Sequence, residues 1–164
     1  MDSMRRAVML GVMVTLGVML GASLVRVSAQ ASNPRSGTWK LNLEKSKYDP
    51  GPAPQRNTMT IEASGDGEKA TTEGVNAAGT ATGTQYTAQY DGKDYPITGS
   101  QNADTVALKR IDARTLERTD KKGEKVVATS TRVLSEDGKT MTVTTKGTNA
   151  QGQAVNNVTV WEKQ

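Results

Sequence analysis

From residue 36 onward no stretch of this chain holds a helical period, and turn residues interrupt it about every ten positions. Between the interruptions, side chains alternate. Trp39, Leu41 and Leu43 form one such set; Met59, Ile61 and Ala63 a second; Tyr86, Ala88 and Tyr90 a third; Val106, Leu108 and Arg110 a fourth; Met141, Val143 and Thr145 a fifth. A period of two places alternate side chains on one face of a strand. The breaks carry turn chemistry: Ser64-Gly65-Asp66-Gly67, Asp91-Gly92, Asp112-Ala113-Arg114, Lys121-Lys122-Gly123-Glu124 and Glu136-Asp137-Gly138. The Pro-rich stretch from Tyr48 to Pro54 is excluded from any strand or helix interior, and Pro96 marks the run Lys93 to Thr98 as an edge or a bend.

About ten strands are counted this way. Short connections pair each strand with its sequence neighbour. A meander of that length exposes two edges unless it curls and closes, so residues 36–164 are expected to form an all-β, antiparallel, up-and-down barrel. A two-sheet sandwich is the alternative, but its crossovers need longer connections. In a meander, alternate turns lie at opposite ends. The even turns are short and the odd ones generally longer, including Tyr48 to Pro54, Gly74 to Gly79, Gly99 to Asp104 and Gly147 to Gly152. A ligand mouth is therefore expected at the long-loop end. Two of those loops share a spelling, Gly74-x-Asn76-Ala77-x-Gly79 and Gly147-x-Asn149-Ala150-x-Gly152.

Residues 1–29 read as a secretory signal peptide. Arg5 and Arg6 precede an uncharged apolar stretch from Ala7 to Leu24, and Val27-Ser28-Ala29 has the small-residue spelling of a cleavage site. An uncleaved leader would be the only membrane contact. Residues 30–35 are expected to be an extended N-terminal segment, and the protein to be periplasmic or secreted. The leader carries Arg5, Arg6, Arg26 and Asp2, so the formal charge of +4 falls to +2 without it. A nucleic-acid partner is not implied by so small a charge.

The chain has no Cys and no His. Disulfides, a thiol nucleophile, a histidine general base and a zinc site built from those residues are therefore excluded. No carboxylate pair stands in an apolar setting, so the sequence points to no catalytic residue, metal or cofactor and to a protein that is not an enzyme.

Gly37-Thr38-Trp39 opens the first strand. A Gly-x-Trp there resembles the lipocalins and fatty-acid-binding proteins, the calycins. The resemblance implies a barrel whose Trp39 plugs one end, with Gly37 allowing close chain approach. Gly37 to Asn42, Tyr90 to Pro96 and Asp137 to Thr140 are also similar to a family of small exported bacterial proteins of unknown function. There are departures from the calycin pattern. Asp49 to Gln55 leaves no room for the lid helices of fatty-acid-binding proteins. Val158 to Lys163 lacks their Arg-x-Tyr, and only Lys163 could stack on Trp39 as a late lipocalin arginine does.

Trp161 is expected to be a second barrel-end residue. Tyr86 and Tyr90 could line a cavity or simply pack across strands. Arg110 shares a face with Val106 and Leu108, and Arg132 with Val126 and Leu134. Either arginine could neutralise an acidic ligand inside a barrel, or sit at the rim with its head in water. Two functions stay open: binding of a small apolar or amphipathic ligand, with Arg110, Arg132, Tyr86 and Tyr90 as its site, or an interaction module for an envelope protein. Barrel-shaped bacterial protease inhibitors resemble the second in outline, with the segment Ala31 to Ser36 as the contact.

Overall fold

The computed structural model describes residues 33–164. The leader expected over residues 1–29 and the first part of the following segment lie outside the described residues. The rest is all-β: β1 (Gly37–Lys47), β2 (Arg56–Ala63), β3 (Gly67–Val75), β4 (Ala81–Gln89), β5 (Asp91–Thr98), β6 (Thr105–Arg110), β7 (Thr115–Lys122), β8 (Lys125–Leu134), β9 (Thr140–Thr148) and β10 (Ala154–Lys163). Each strand pairs antiparallel with its neighbour in sequence, and β10 returns to pair with β1, which closes the barrel. Closure leaves no free sheet edge, the reason a meander with so few large apolar residues curls at all.

Alternation fills the interior. Trp39, Ile61, Ala70, Ala88, Val106, Leu108, Leu116 and Met141 are all fully or almost fully buried. The turns behave as their spelling requires. In the matched pair of loops, Asn76 Oδ1 accepts from the Thr80 amide and Asn149 Oδ1 from the Gln153 amide, each at 2.9 Å. Gly79 and Gly152 follow with φ of 83° and 77°, a region that favours glycine.

Four local expectations are corrected. Residues 33–36 are not extended: the Ser36 amide bonds back to the Asn33 carbonyl, and Arg35 is 1% exposed. Asn33 and Arg35 are thereby tied into the fold, which removes this stretch as a free contact arm. β7 runs on to Lys122, so the next turn has only Gly123 and Glu124 at its tip. Leu43 is not a core residue, at 38% exposure. The register of β1 on β10 shifts between Asn42 and Lys47, where Asn42 takes bonds from the Lys45 amide and the Ser46 hydroxyl in place of the ladder. Val126 does not share the inner face of Arg132 and Leu134. A bulge at Val127 lets Asp120 face Ala128 while Lys121 faces Val126, and Val126 turns outward.

Candidate functional site

The short-turn end is sealed. Trp39 lies across it, wholly buried, its indole N–H donating to the Arg35 carbonyl at 2.8 Å. Lys163 Nζ stands 5.3 Å from the ring centroid and donates to the Pro34 carbonyl at 3.4 Å. Gly37 has φ 132°, and a Cβ there would meet the Lys163 side chain, so the glycine lets the turn press down on that side chain.

Above this floor lies a buried polar cluster centred on Glu68, which is 0% exposed. Its Oε1 accepts from Arg132 Nη1 at 2.8 Å and from the Tyr86 hydroxyl at 2.6 Å; its Oε2 accepts from the Tyr90 hydroxyl at 2.9 Å. Asn33 Nδ2 in turn donates to the Tyr90 hydroxyl at 2.6 Å. Burial and the adjacent Glu68 raise the Tyr90 pKa above its ordinary value. Burial pushes Tyr86 up to about 12, with Glu68 adding to it. Burial works against the Arg132 charge, but Tyr86 and Glu68 outweigh it and hold that pKa above the ordinary guanidinium value. Arg35 goes the other way: burial lowers its pKa despite Tyr90 and Glu68. Its Nε and Nη2 are buried without a hydrogen-bond partner among the described residues.

Over the cluster the barrel is hollow. A cavity of about 260 Å³ lies between β2–β3 on one side and β7–β10 on the other. Met59, Val143 and Trp161 make an apolar wall. Arg132, Arg118 and Asp120 bring charge to it, and Thr72, Ser130, Thr145 and Thr159 bring hydroxyls. Arg118 grips Asp120 with Nε at 3.0 Å from both carboxylate oxygens and Nη2 at 2.6 Å from Oδ1. Its guanidinium also lies 5.0 Å from the centroid of the Tyr86 ring. Ser130 and Thr145 hydroxyls bond each other at 2.9 Å, and the Trp161 indole N–H donates to Thr159 Oγ1 at 3.0 Å.

The cavity opens toward the long-loop end, where Thr72, Thr145 and Thr159 are only partly buried. Part of that end is roofed by the β5–β6 loop. Asn102 Nδ2 donates to the Thr148 carbonyl at 3.1 Å, tying the loop to the end of β9, three strands round the barrel. Ala103, in the same loop, is buried. Gly99, at φ 76°, begins the loop.

Of the four ligand candidates read from sequence, Arg132 alone lines the cavity. Tyr86 and Tyr90 sit behind it as partners of Glu68. Arg110 is not in it: its guanidinium lies 4.4 Å from the Tyr90 ring centroid and 3.1 Å from Asp66 at the short-turn end, with the side chain 44% exposed. Trp161 forms cavity wall, a layer above the plug that Trp39 makes. Glu68, Arg118 and Asp120 were missed, although their alternation with Ala70 and Leu116 carries the signal. The turn spellings Ser64 to Gly67 and Lys121 to Glu124 stand directly beside Glu68 and Asp120 and hide both at the ends of their strands.

Among the described residues, fold and cavity define a closed ten-strand meander barrel with an open chamber lined by both apolar and polar side chains. The chain matches no known protein-family model and no curated protein.

Proposed function

We propose that this protein is an exported, non-catalytic barrel that holds a small amphipathic molecule in the chamber bounded by β2–β3 and β7–β10. The cavity carries the reading: one wall is apolar, the rest hydroxyl and guanidinium, and the way in is at the long-loop end. Its 260 Å³ lies just below the roughly 300–1,000 Å³ of pockets that hold drug-sized ligands, so the molecule is small. A long acyl chain finds too little apolar lining. Lack of His and Cys supports binding rather than catalysis. The leader signature at residues 1–29 supports export.

Intact mass of the protein purified from its native compartment, under native and denaturing conditions, tests this. The expected result is a denatured mass lacking residues 1–29 and an extra native mass that disappears on denaturation. Thr145→Trp, which fills the chamber, should abolish the extra mass. Retention of the leader would sink the export reading. An extra mass undiminished in Thr145→Trp, or none in either protein, would sink the chamber as the binding site.

A further inference from the structure

The ionic content of the barrel is unbalanced. Arg35 and Arg132 are almost wholly buried, at 1% and 3%, with Glu68 as the carboxylate beside both. Arg118 and Asp120 pair with each other at 2.6 Å, with side chains 18% and 13% exposed. Among the described residues, three guanidinium groups against two carboxylates leave one positive charge in excess. An excess charge behind low-dielectric walls is unfavourable, and an anion entering that space relieves it.

Access decides where the anion meets that field. Arg132 is spent on Glu68, and its side chain is 4% exposed. Arg118 is the more open of the two, and its bonds to Asp120 use Nε and Nη2, leaving Nη1 uncommitted. The hydroxyls of Ser130 and Thr145 stand on the neighbouring strands β8 and β9 and can turn a donor toward the same point. Met59, Val143 and Trp161 offer an apolar surface in the same chamber.

We infer that the chamber selects a small monoanionic organic acid, its carboxylate on Arg118 and the hydroxyls, its apolar body on the wall made by Met59, Val143 and Trp161. The inference rests on the binding reading above and adds the sign of the ligand's charge. Cations are repelled by the same excess.

The two tryptophans give a test with a built-in control. The Trp161 indole N–H is in the chamber wall on Thr159, whereas that of Trp39 is sealed against the Arg35 carbonyl at the other end. In a nitrogen–proton correlation spectrum of the folded protein, benzoate should move the Trp161 indole signal and leave that of Trp39 in place. Benzamide, the neutral counterpart, should bind at least about tenfold more weakly, and benzylammonium not at all. Arg118→Gln should weaken benzoate about tenfold, while Asp120→Asn should tighten it. Both substitutions break the same ion pair, so a merely structural role would move both the same way, and an unchanged Trp39 signal reports that each variant is folded. Equal affinity for benzoate and benzamide at Trp161 would overturn the charge inference while leaving the chamber as a binding site. Same-direction effects of the two variants would overturn it as well. If none of the three probes moves Trp161 at millimolar concentration, the inference and the binding reading fall together.

Discussion

Glu68 accepts hydrogen bonds from Arg132, Tyr86 and Tyr90 at a position with no exposed surface. Removing its charge strands a buried guanidinium. Glu68→Gln is therefore expected to cost about 3–5 kcal/mol in a denaturant titration. The double variant Glu68→Leu with Arg132→Leu should cost clearly less than the two single variants summed, because neither then leaves a lone charge inside. The tyrosines set an alkaline limit. The folded protein favours the neutral phenol of Tyr86, with its pKa raised from about 10 to about 12. That group stabilises the fold by roughly 2–3 kcal/mol below pH 10, and the contribution is lost as the pH rises toward 12. Tyr90 is shifted in the same direction. A spectrophotometric titration should show Tyr86 and Tyr90 ionising only together with unfolding; early, reversible ionisation of all four tyrosines would contradict it. In the sequence Glu68 stands between Gly67 and Lys69 and looks like one more solvated turn residue. Only the partners brought to it by β4 and β8, at sequence separations of 18 to 64, make it interior.

Strand by strand, the ladder is uneven. β9 and β10 share nine registered pairs, from Ala154–Thr148 to Glu162–Thr140, while β4 and β5 share two, Gln85–Thr98 and Tyr86–Ile97. Amide exchange should accordingly be faster on the β4–β5 seam than between β9 and β10. The bulge at Val127 presses β8 onto Gly147, where a Cβ would run into the Val127 carbonyl and Ala128. Gly147→Ala should cost about 1–3 kcal/mol of stability. Gly83→Ala, whose Cβ meets nothing closer than the Thr72 carbonyl at 3.6 Å, should be neutral or slightly stabilising in the same thermal melt. The Asn102–Thr148 bond is the side-chain tie between the β5–β6 loop and β9. Asn102→Ala should speed ligand exchange more than it lowers stability, measured by stopped-flow Trp161 fluorescence against the melt. The alternation made the strands and their order readable, and Asp-Gly and Asn-Ala-x-Gly spellings made the turns readable. The bulges were not, because a few extra residues in a strand leave no mark in composition, yet one at Val127 sends Val126 outward and three between Asn42 and Lys47 take Leu43 out of the core.

For the molecule as a whole, the antiparallel ladder returns from β10 to β1, with Trp39 facing Lys163 and Leu41 facing Trp161. That closure makes a chamber of the inner faces of strands far apart in sequence. What the sequence determined alone was an all-β meander, the two classes of turn at its two ends, and a chemistry without His or Cys. These are local properties: period two, turn spelling and the presence or absence of a residue type act over a few positions, so they survive without knowledge of the fold. Tertiary structure decided the rest. It put Arg110 at the rim and Arg132 in the wall, joined Arg118 to Asp120, turned residues 33–36 into part of the floor, and left the interior with three guanidinium groups and two carboxylates. Those outcomes depend on which inner faces meet across the barrel and on odd-numbered shifts of register at its bulges, and an odd shift exchanges inside for outside.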